Sequence, residues 1–388
     1  MRPIDSRNGV LGAALVASLA LSGCGGSSEA ALSVVRVSAG VDDCGDGWTS
    51  PHGGRQTFEL HNTTVAGEEV HLESATSGAI FLDIESLGAG ARQSAAVTLG
   101  DGTYRFVCLP ADGEPAMGAK VTIVGAVADA TPGLKPVTRN DLIPALKAYQ
   151  AWVQSRLPVL QDQVGRLETD IEAGDLSGAK NSWLAAHRTY ETLGAAYGAF
   201  GDFDSAINGL PAPGRTAATD HQLEGFRRLE AMLYGNASAK DIAPYASRLV
   251  RSVAALRAAF VNGRVDPVDI GLRAHEILEN ALEFELTGRT DAGSHTELAT
   301  VDANLTGTRE ALAPLRSILL SRYPRLARTE HAIDESQRLV RTFRREGGGW
   351  APLSSLTRSE RESVNAQISA TLELLAPVAA ICDPRRTA

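Results

Sequence analysis

Histidine and glutamate recur at helical spacing in the second half of the chain. His187 and Glu191 are four residues apart, and so are His275 and Glu279. Residues at positions i and i+4 lie on the same face of a helix, so the two side chains of each pair can reach one ion. Imidazole nitrogen and carboxylate oxygen are both metal ligands, and the pattern therefore predicts metal binding. A surface or core pair without any metal has the same spacing, so no single pair decides between the two.

Further carboxylates lie close to the first pair in the sequence. Asp202 and Asp204 follow its helix in a short loop, and Glu230 lies on the next helical segment. Antiparallel packing brings successive helices of a bundle side by side, so we expect these carboxylates to complete a site with His187 and Glu191. Oxygen donors joined by an imidazole are typical of sites for hard cations.

A second group of acidic residues lies between positions 68 and 114. Glu69, Glu85 and Asp112, together with Cys108 if its thiol is free, predict a second metal site. A histidine such as His71 would extend the site to Cu(II). Because one face of a strand in an antiparallel sheet is commonly solvated, exposed carboxylates without a metal are the competing interpretation.

The first 31 residues do not fit a folded domain. An apolar run at 10–21 is too short to span a bilayer but has the length of a secretory signal. It ends in the tetrapeptide LSGC at 21–24, which is typical of a bacterial lipoprotein. We therefore expect residues 1–23 to be a signal peptide, Cys24 to carry a lipid anchor, and residues 24–31 to form a flexible tether.

Three cysteines remain for an oxidising compartment: Cys44, Cys108 and Cys382. Because the count is odd, at least one of them stays unpaired. Cys44 and Cys108 lie near the two ends of the first domain, where a β-sandwich brings its terminal strands together, and this favours a Cys44–Cys108 disulfide. A free Cys108 that acts as a metal ligand is the alternative.

The composition changes near residue 125 and divides the chain into a β part and an α part. Residues 32–124 alternate polar and apolar side chains in short runs, which predicts an antiparallel β-sandwich of about seven strands. Residues 125–136 are rich in proline and glycine and predict a linker. Residues 137–388 have helical periodicity and predict an all-α domain of two four-helix bundles. The eight predicted helices are 138–173, 176–200, 218–235, 240–262, 267–287, 296–322, 326–346 and 357–381.

Composition and motifs exclude several functional classes. A net charge of −9 argues against nucleic-acid binding, which needs a basic surface. The stretch from His275 to Glu279 has glutamate where a zinc peptidase needs its second histidine. The chain also contains no Gly-x-Ser-x-Gly motif and no Walker-type phosphate loop. We therefore expect a protein that is not an enzyme.

The β part resembles a cupredoxin in its strand order and in the late position of Cys108. A blue-copper site needs a histidine a few residues after that cysteine, and residues 109–117 contain none. The helical part resembles the EfeO family of iron-uptake components. The segments that carry this resemblance are HRTYETLGAAYGAFGDFDSAINGLP (187–211), GFRRLE (225–230), AHEILEN (274–280), FELTG (284–288) and VDANL (301–305).

The resemblance implies a cupredoxin-like domain followed by an imelysin-type, peptidase-like helical domain. It also implies an extracytoplasmic protein that binds iron, Fe²⁺ or Fe³⁺, with copper or zinc as alternative metals. Its partners would be a membrane iron permease of the EfeU type and a haem peroxidase of the EfeB type. The alternative is a scaffold of the cell envelope that binds no metal and recruits a partner such as the peroxidase.

One position departs from the motif of the family. The helical domain of the family resembles this chain in a segment written in many members as Gly-Phe-His-Arg-x-Glu. Glu230 matches the glutamate of that motif, but Arg227 occupies the position of its histidine. A guanidinium cannot bind a cation and repels one. We therefore expect the site to be weakened, lost, or rebuilt from His187, Glu191, Asp204 and Glu230.

Overall fold

The computed structural model describes residues 34–385 except 262 and 264. The predicted signal peptide (1–23), the lipidation site Cys24 and the tether (24–31) lie outside the described residues. A β-sheet region occupies residues 34–123 and a helical domain follows it. The predicted multi-domain arrangement of β followed by α is therefore confirmed.

The β region consists of short strands whose side chains alternate between the core and the surface. Gly54–Asn62 shows this most clearly, because every second residue from Gln56 onward is buried. The strands are β1 (Val34–Ala39), β2 (Gly54–Asn62), β3 (Glu68–Ser74), β4 (Ile80–Leu87), β5 (Arg92–Leu99), β6 (Gly102–Pro110), β7 (Ala116–Met117) and β8 (Val121–Ile123).

The strands form two sheets. One sheet has the order β1-β2-β5, and the other has the order β4-β3-β6-β7 with β8 also paired to β6. All pairs are antiparallel except β1 with β2, so the purely antiparallel sandwich predicted from the sequence is wrong at that edge. The core is apolar and contains an aromatic trio, in which the rings of Trp48, Phe58 and Phe106 contact one another edge to face.

The helical domain starts at a capping box, in which Thr138 and Asp141 satisfy each other's backbone N–H groups. Its α-helices are α1 (Arg139–Glu172), α2 (Leu176–Glu191), α3 (Tyr197–Phe200), α4 (Asp202–Asn208), α5 (Gly225–Tyr234), α6 (Ala239–Phe260), α7 (Asp269–Asn280), α8 (Glu297–Leu312), α9 (Arg316–Leu319), α10 (Leu326–Arg341) and α11 (Arg358–Cys382). The 3₁₀ turns are Gly194–Ala196, Ala313–Leu315 and Leu353–Ser355, and Ala281–Glu285 is a π-helical turn.

Two predicted helices are interrupted. The predicted helix 176–200 breaks after Glu191 into a 3₁₀ turn at Gly194, where a Cβ atom would lie 2.8 Å from the side chain of Ile277 on α7. The predicted helix 296–322 breaks at the 3₁₀ turn Ala313–Leu315, which contains Pro314 and therefore lacks one backbone N–H donor. Both interruptions come from packing or backbone chemistry that hydrophobic periodicity does not report.

The helices group into two four-helix sets. Helices α1, α2, α5 and α6 pack in a closed ring, and α7, α8, α10 and α11 form a second ring. Contact between α2 and α8 joins the two sets. α11 has the length and hydropathy of a membrane span, but Ile368, Leu375 and Val378 are fully buried in the domain core. Packing within the second ring therefore accounts for its apolar sequence.

Candidate metal centres

The predicted pair on α2 forms at the junction of the two helix sets. His187 and Glu191 are both buried, and Nε2 of His187 lies 3.1 Å from Oε1 of Glu191. The imidazole stacks on the ring of Trp183 at a centroid distance of 5.1 Å. Neither ring nitrogen of His187 has an aligned hydrogen-bond partner. The structure therefore confirms that these two residues share a face and a contact.

Amide groups already bind the carboxylate of Glu191. Asn208 donates a hydrogen bond of 2.8 Å to Oε1, and Asn304 of α8 donates one of 3.0 Å to Oε2. Burial would raise the pKa of Glu191, but the adjacent His187, the charge of Arg227 and the amide of Asn304 outweigh it and hold the pKa below its ordinary value. Glu191 is therefore an ionised carboxylate that this chain's own groups stabilise.

Arg227 supplies a buried positive charge to the same region. It lies on α5, which begins at Gly225, a residue with φ of 75°. Nη2 of Arg227 lies 3.5 Å from Oε1 of Glu285, and Nη1 donates a hydrogen bond of 2.9 Å to the carbonyl of Thr290. The π-helical turn at the end of α7 carries Glu285. Burial raises the pKa of Glu285, and the charge of Arg227 opposes that rise.

A cavity of about 230 Å³ lies between these residues. Its polar lining includes Glu191, Asp204, Arg227, Arg273 and Glu285. The hydroxyl of Tyr190 donates a hydrogen bond to Asp204. Positive and negative side chains therefore face the same space, and its carboxylates are partnered by amides, a phenol or a guanidinium. Such a cavity does not offer a metal ion a set of free carboxylates.

Glu230 is buried but is directed away from this cavity, toward the loop before α8. Its Oε1 accepts hydrogen bonds from the backbone N–H groups of Ala292 and Ser294, both at 3.1 Å, and from the hydroxyl of Ser294 at 2.6 Å. Burial raises the pKa of Glu230, and the Ser294 hydroxyl opposes that rise. Glu230 therefore ties α5 to the 291–295 loop.

The predicted helical site does not assemble as one set. Asp202 is exposed at the start of α4. His275 and Glu279 lie on α7 outside the cavity lining, with Nδ1 and Oε2 3.9 Å apart. Among the described residues, His187, Glu191, Asp204 and Glu230 are not a group whose ligand atoms come within 4.8 Å of one another. The rebuilt site expected from the sequence is therefore corrected: only its His187–Glu191 contact forms.

A different group does converge in the helical domain. Asp291, His295 and Glu297 each offer a ligand atom, and these atoms lie within 4.8 Å of one another. Nδ1 of His295 lies 2.7 Å from Oδ2 of Asp291. His295 has a positive φ of 56°, which no other described non-glycine residue shows. Sequence analysis missed this group, because Asp291 and His295, although four residues apart, lie in the loop before α8 and not on a helix.

The β region also contains one converging group. Glu69 and His71 on β3 meet Asp83 on β4, again within 4.8 Å. Nε2 of His71 lies 2.5 Å from Oε1 of Glu69 and 3.4 Å from Oδ1 of Asp83. Arg385, which follows α11, reaches Asp83 with Nε 2.5 Å from Oδ2. The group therefore lies where the helical domain meets the sheet.

The second site predicted from the sequence needs correction. Cys108 forms a disulfide with Cys44, so its thiol is not a metal ligand, and this pairing confirms the favoured one. Glu85 and Asp112 are exposed and are not part of the converging group. Only Glu69 of the predicted set belongs to it. Cys382 is a free, buried cysteine.

The helical domain matches the imelysin family over residues 145–378. Because this match covers more than half of the chain, the chain belongs to the imelysin family.

Curated relatives agree with the more specific resemblance. The chain is 23% identical to "Iron uptake system component EfeO" of Escherichia coli O1:K1 / APEC over 354 residues, which are 90% of this chain and 92% of that protein. It is 26% identical to the proteins of the same name from Escherichia coli K12 and Shigella flexneri over 233 residues, which are 60% of this chain and 62% of each relative. The resemblance to the EfeO family is thus confirmed.

Proposed function

We propose that this protein is an iron-uptake component that binds iron outside the cytoplasm and delivers it to a membrane iron permease of the EfeU type. The observation that carries the proposal is the convergence of Asp291, His295 and Glu297 in the helical domain of a chain similar to EfeO proteins. Imidazole with carboxylate oxygen suits Fe²⁺ and Fe³⁺, and also copper and zinc. Iron here is a cargo, so the protein must both bind it and release it.

Metal titration of the purified full-length protein tests the binding step. We expect at least one equivalent of Fe(II), titrated without oxygen, to bind with a dissociation constant of about 10 μM or lower, equivalent to about 7 kcal/mol. Parallel titrations with Fe(III), Cu(II) and Zn(II) rank the metals. Absence of binding by any iron species would contradict the proposal.

Delivery needs a protein held beside the permease. Cys24, which lies outside the described residues, would carry a lipid that keeps the protein on the extracytoplasmic side of the cell membrane. A haem peroxidase of the EfeB type would act in the same system. The likeness to proteins named as an iron uptake system component supports partners in such a system.

Two cell experiments test this part. The Cys24→Ser protein should move to the soluble fraction with its fold unchanged, since the lipid contributes only membrane affinity. Uptake of labelled iron through the permease should fall in cells that carry Cys24→Ser, and should be restored by the parent protein. Equal uptake with and without the protein would contradict delivery.

A further inference from the structure

We propose that Asp291, His295 and Glu297 form the metal-binding site of the helical domain, and that it takes a divalent first-row cation such as Fe²⁺. This inference rests on the proposed function, which it makes more specific. It assigns the cargo to the loop before α8 rather than to the cavity lined by Glu191, Asp204 and Arg273.

Glu297 provides the first argument. The residue is only 7% exposed, and its Oε2 is buried without a hydrogen-bond partner. A buried carboxylate oxygen without a partner is costly, because it has lost its hydration and gained nothing in exchange. A cation coordinated by this oxygen would supply the missing interaction.

The charge around Glu297 points the same way. Asp291, Glu230 and Glu297 line one small pocket, which Arg227 and Glu285 also line. Within the described part of the chain, no lysine or arginine forms an ion pair with Asp291 or Glu297. Arg227 contacts Glu285 and the carbonyl of Thr290 instead, so Asp291 and Glu297 have no paired cation, and a divalent ion would neutralise them.

The loop holds its ligand atoms in place before any ion binds. Oδ1 of Asp291 accepts hydrogen bonds from the backbone N–H groups of Gly293 at 3.1 Å and His295 at 2.8 Å, which leaves Oδ2 beside the imidazole. The Ser294 hydroxyl and two backbone N–H groups of the loop bind Glu230. Ligands that are already ordered bind a metal with a smaller entropic cost.

The site is open on one side. His295 has a side chain that is 57% exposed, whereas Glu297 is buried at the start of α8. Three protein ligands leave coordination positions for solvent or for a group on a receiving protein. An ion held in this way is accessible for transfer, as a cargo site requires.

Titration of the full-length protein with Fe(II) under anaerobic conditions tests the assignment. We expect His295→Gln and Glu297→Gln each to weaken binding about 10-fold or more. His295 is exposed, so its variant should fold even if Glu297→Gln does not, and circular dichroism checks both. The matched control is Glu335→Gln, which alters the exposed His331–Glu335 pair on α10 and should leave affinity unchanged.

Nuclear magnetic resonance of ¹⁵N-labelled histidine provides a readout that loss of stability would not mimic. Zn(II), used as the diamagnetic probe, should shift the ring nitrogens of one histidine, and that signal should be missing from His295→Gln. If the parent binds Fe(II) and both variants bind it equally well, the assignment is overturned while the proposed function stands. If the parent binds no iron, the proposed function fails, and this inference fails with it.

Discussion

The two converging groups of this protein have the same composition, one histidine and two carboxylates, but differ in their source of positive charge. In the β region, Arg385 binds Asp83 and His71 contacts Glu69, so the charges are balanced by the chain itself. In the helical domain, Asp291 contacts His295, but neither Asp291 nor Glu297 forms an ion pair with a lysine or arginine among the described residues. A buried carboxylate oxygen without a hydrogen bond occurs in both groups, on Asp83 and on Glu297. Proximity of ligand atoms therefore does not by itself define a metal site. The presence or absence of a competing cation distinguishes the two.

In the cavity between the helix sets, an arginine likewise balances the charge of the carboxylates. Arg227 is paired with Glu285 there, and its charge also stabilises the ionised form of Glu191. Arg227 therefore acts as an internal counter-ion, in a position where a bound cation would otherwise balance these carboxylates. Its neighbour Arg228 donates to the carbonyls of Ala217 and Ala218, so it too is engaged within the domain.

Removal of the disulfide should have the largest effect on stability. The Cys44→Ser, Cys108→Ser double variant opens a link with a sequence separation of 64, and we expect a loss of about 4 kcal/mol in the free energy of unfolding of the β region. Hydrogen exchange of the backbone amides of the β-strands measures it. Iron affinity should not change if the helical loop holds the cargo, and a parallel loss of iron would place the cargo in the β region instead.

Replacement of Arg227 tests the internal counter-ion. Arg227→Met should lower the free energy of unfolding by about 3 kcal/mol, because it leaves Glu285 buried without a cation. Adding Glu285→Gln should recover much of that loss, as a double-mutant cycle by thermal denaturation would reveal. A single variant as stable as the parent would mean that Arg227 is not a counter-ion.

Replacement of Arg385 should allow the group in the β region to bind a metal, because it removes the cation that pairs with Asp83. Without the guanidinium, Asp83 can join Glu69 and His71 in binding a metal, so Arg385→Gln should bind one more equivalent of Zn(II) than the parent. Arg358→Gln is the matched control, since it removes an exposed arginine from an ion pair on α11. If Arg385→Gln bound no more Zn(II) than the parent, the arginine would not be what prevents metal binding at this group.

The smallest effect is expected at Cys382. Burial raises the pKa of this thiol to about 12, so almost no thiolate is present at pH 8. Cys382 of the native protein should not react with iodoacetamide within an hour but should react after denaturation, as peptide mapping would show. Rapid labelling of the native protein would show that the contact between α7 and α11 opens readily.

The broad architecture follows from periodicity, because burial of one face imposes a repeat of two on strands and 3.6 on helices. Periodicity does not predict the interruptions at Gly194 and Pro314, because they depend on a neighbouring helix and on the local backbone. Spacing on α2 likewise predicts the contact between His187 and Glu191. It does not reveal that Glu230 turns toward Ser294.

The loop group shows why the rest of the site could not be predicted. Asp291 and His295 are four residues apart but do not lie on a helix, and their convergence with Glu297 depends on a left-handed backbone at His295. The acidic residues of the β region failed as a prediction for another reason. Pairing of β3 with β4 places Asp83 opposite His71 and close to Glu69, whereas Glu85 and Asp112 are exposed.

Anomalous diffraction at the iron absorption edge tests the central claim most directly. Crystals of the full-length protein grown anaerobically with Fe(II) should give a peak in the helical domain about 2.0–2.6 Å from ligand atoms of Asp291, His295 and Glu297. Crystals of Glu297→Gln grown in the same way should lack that peak. A peak between His187 and Glu191, or at Glu69, His71 and Asp83, with none at the 291–297 loop, would contradict the account.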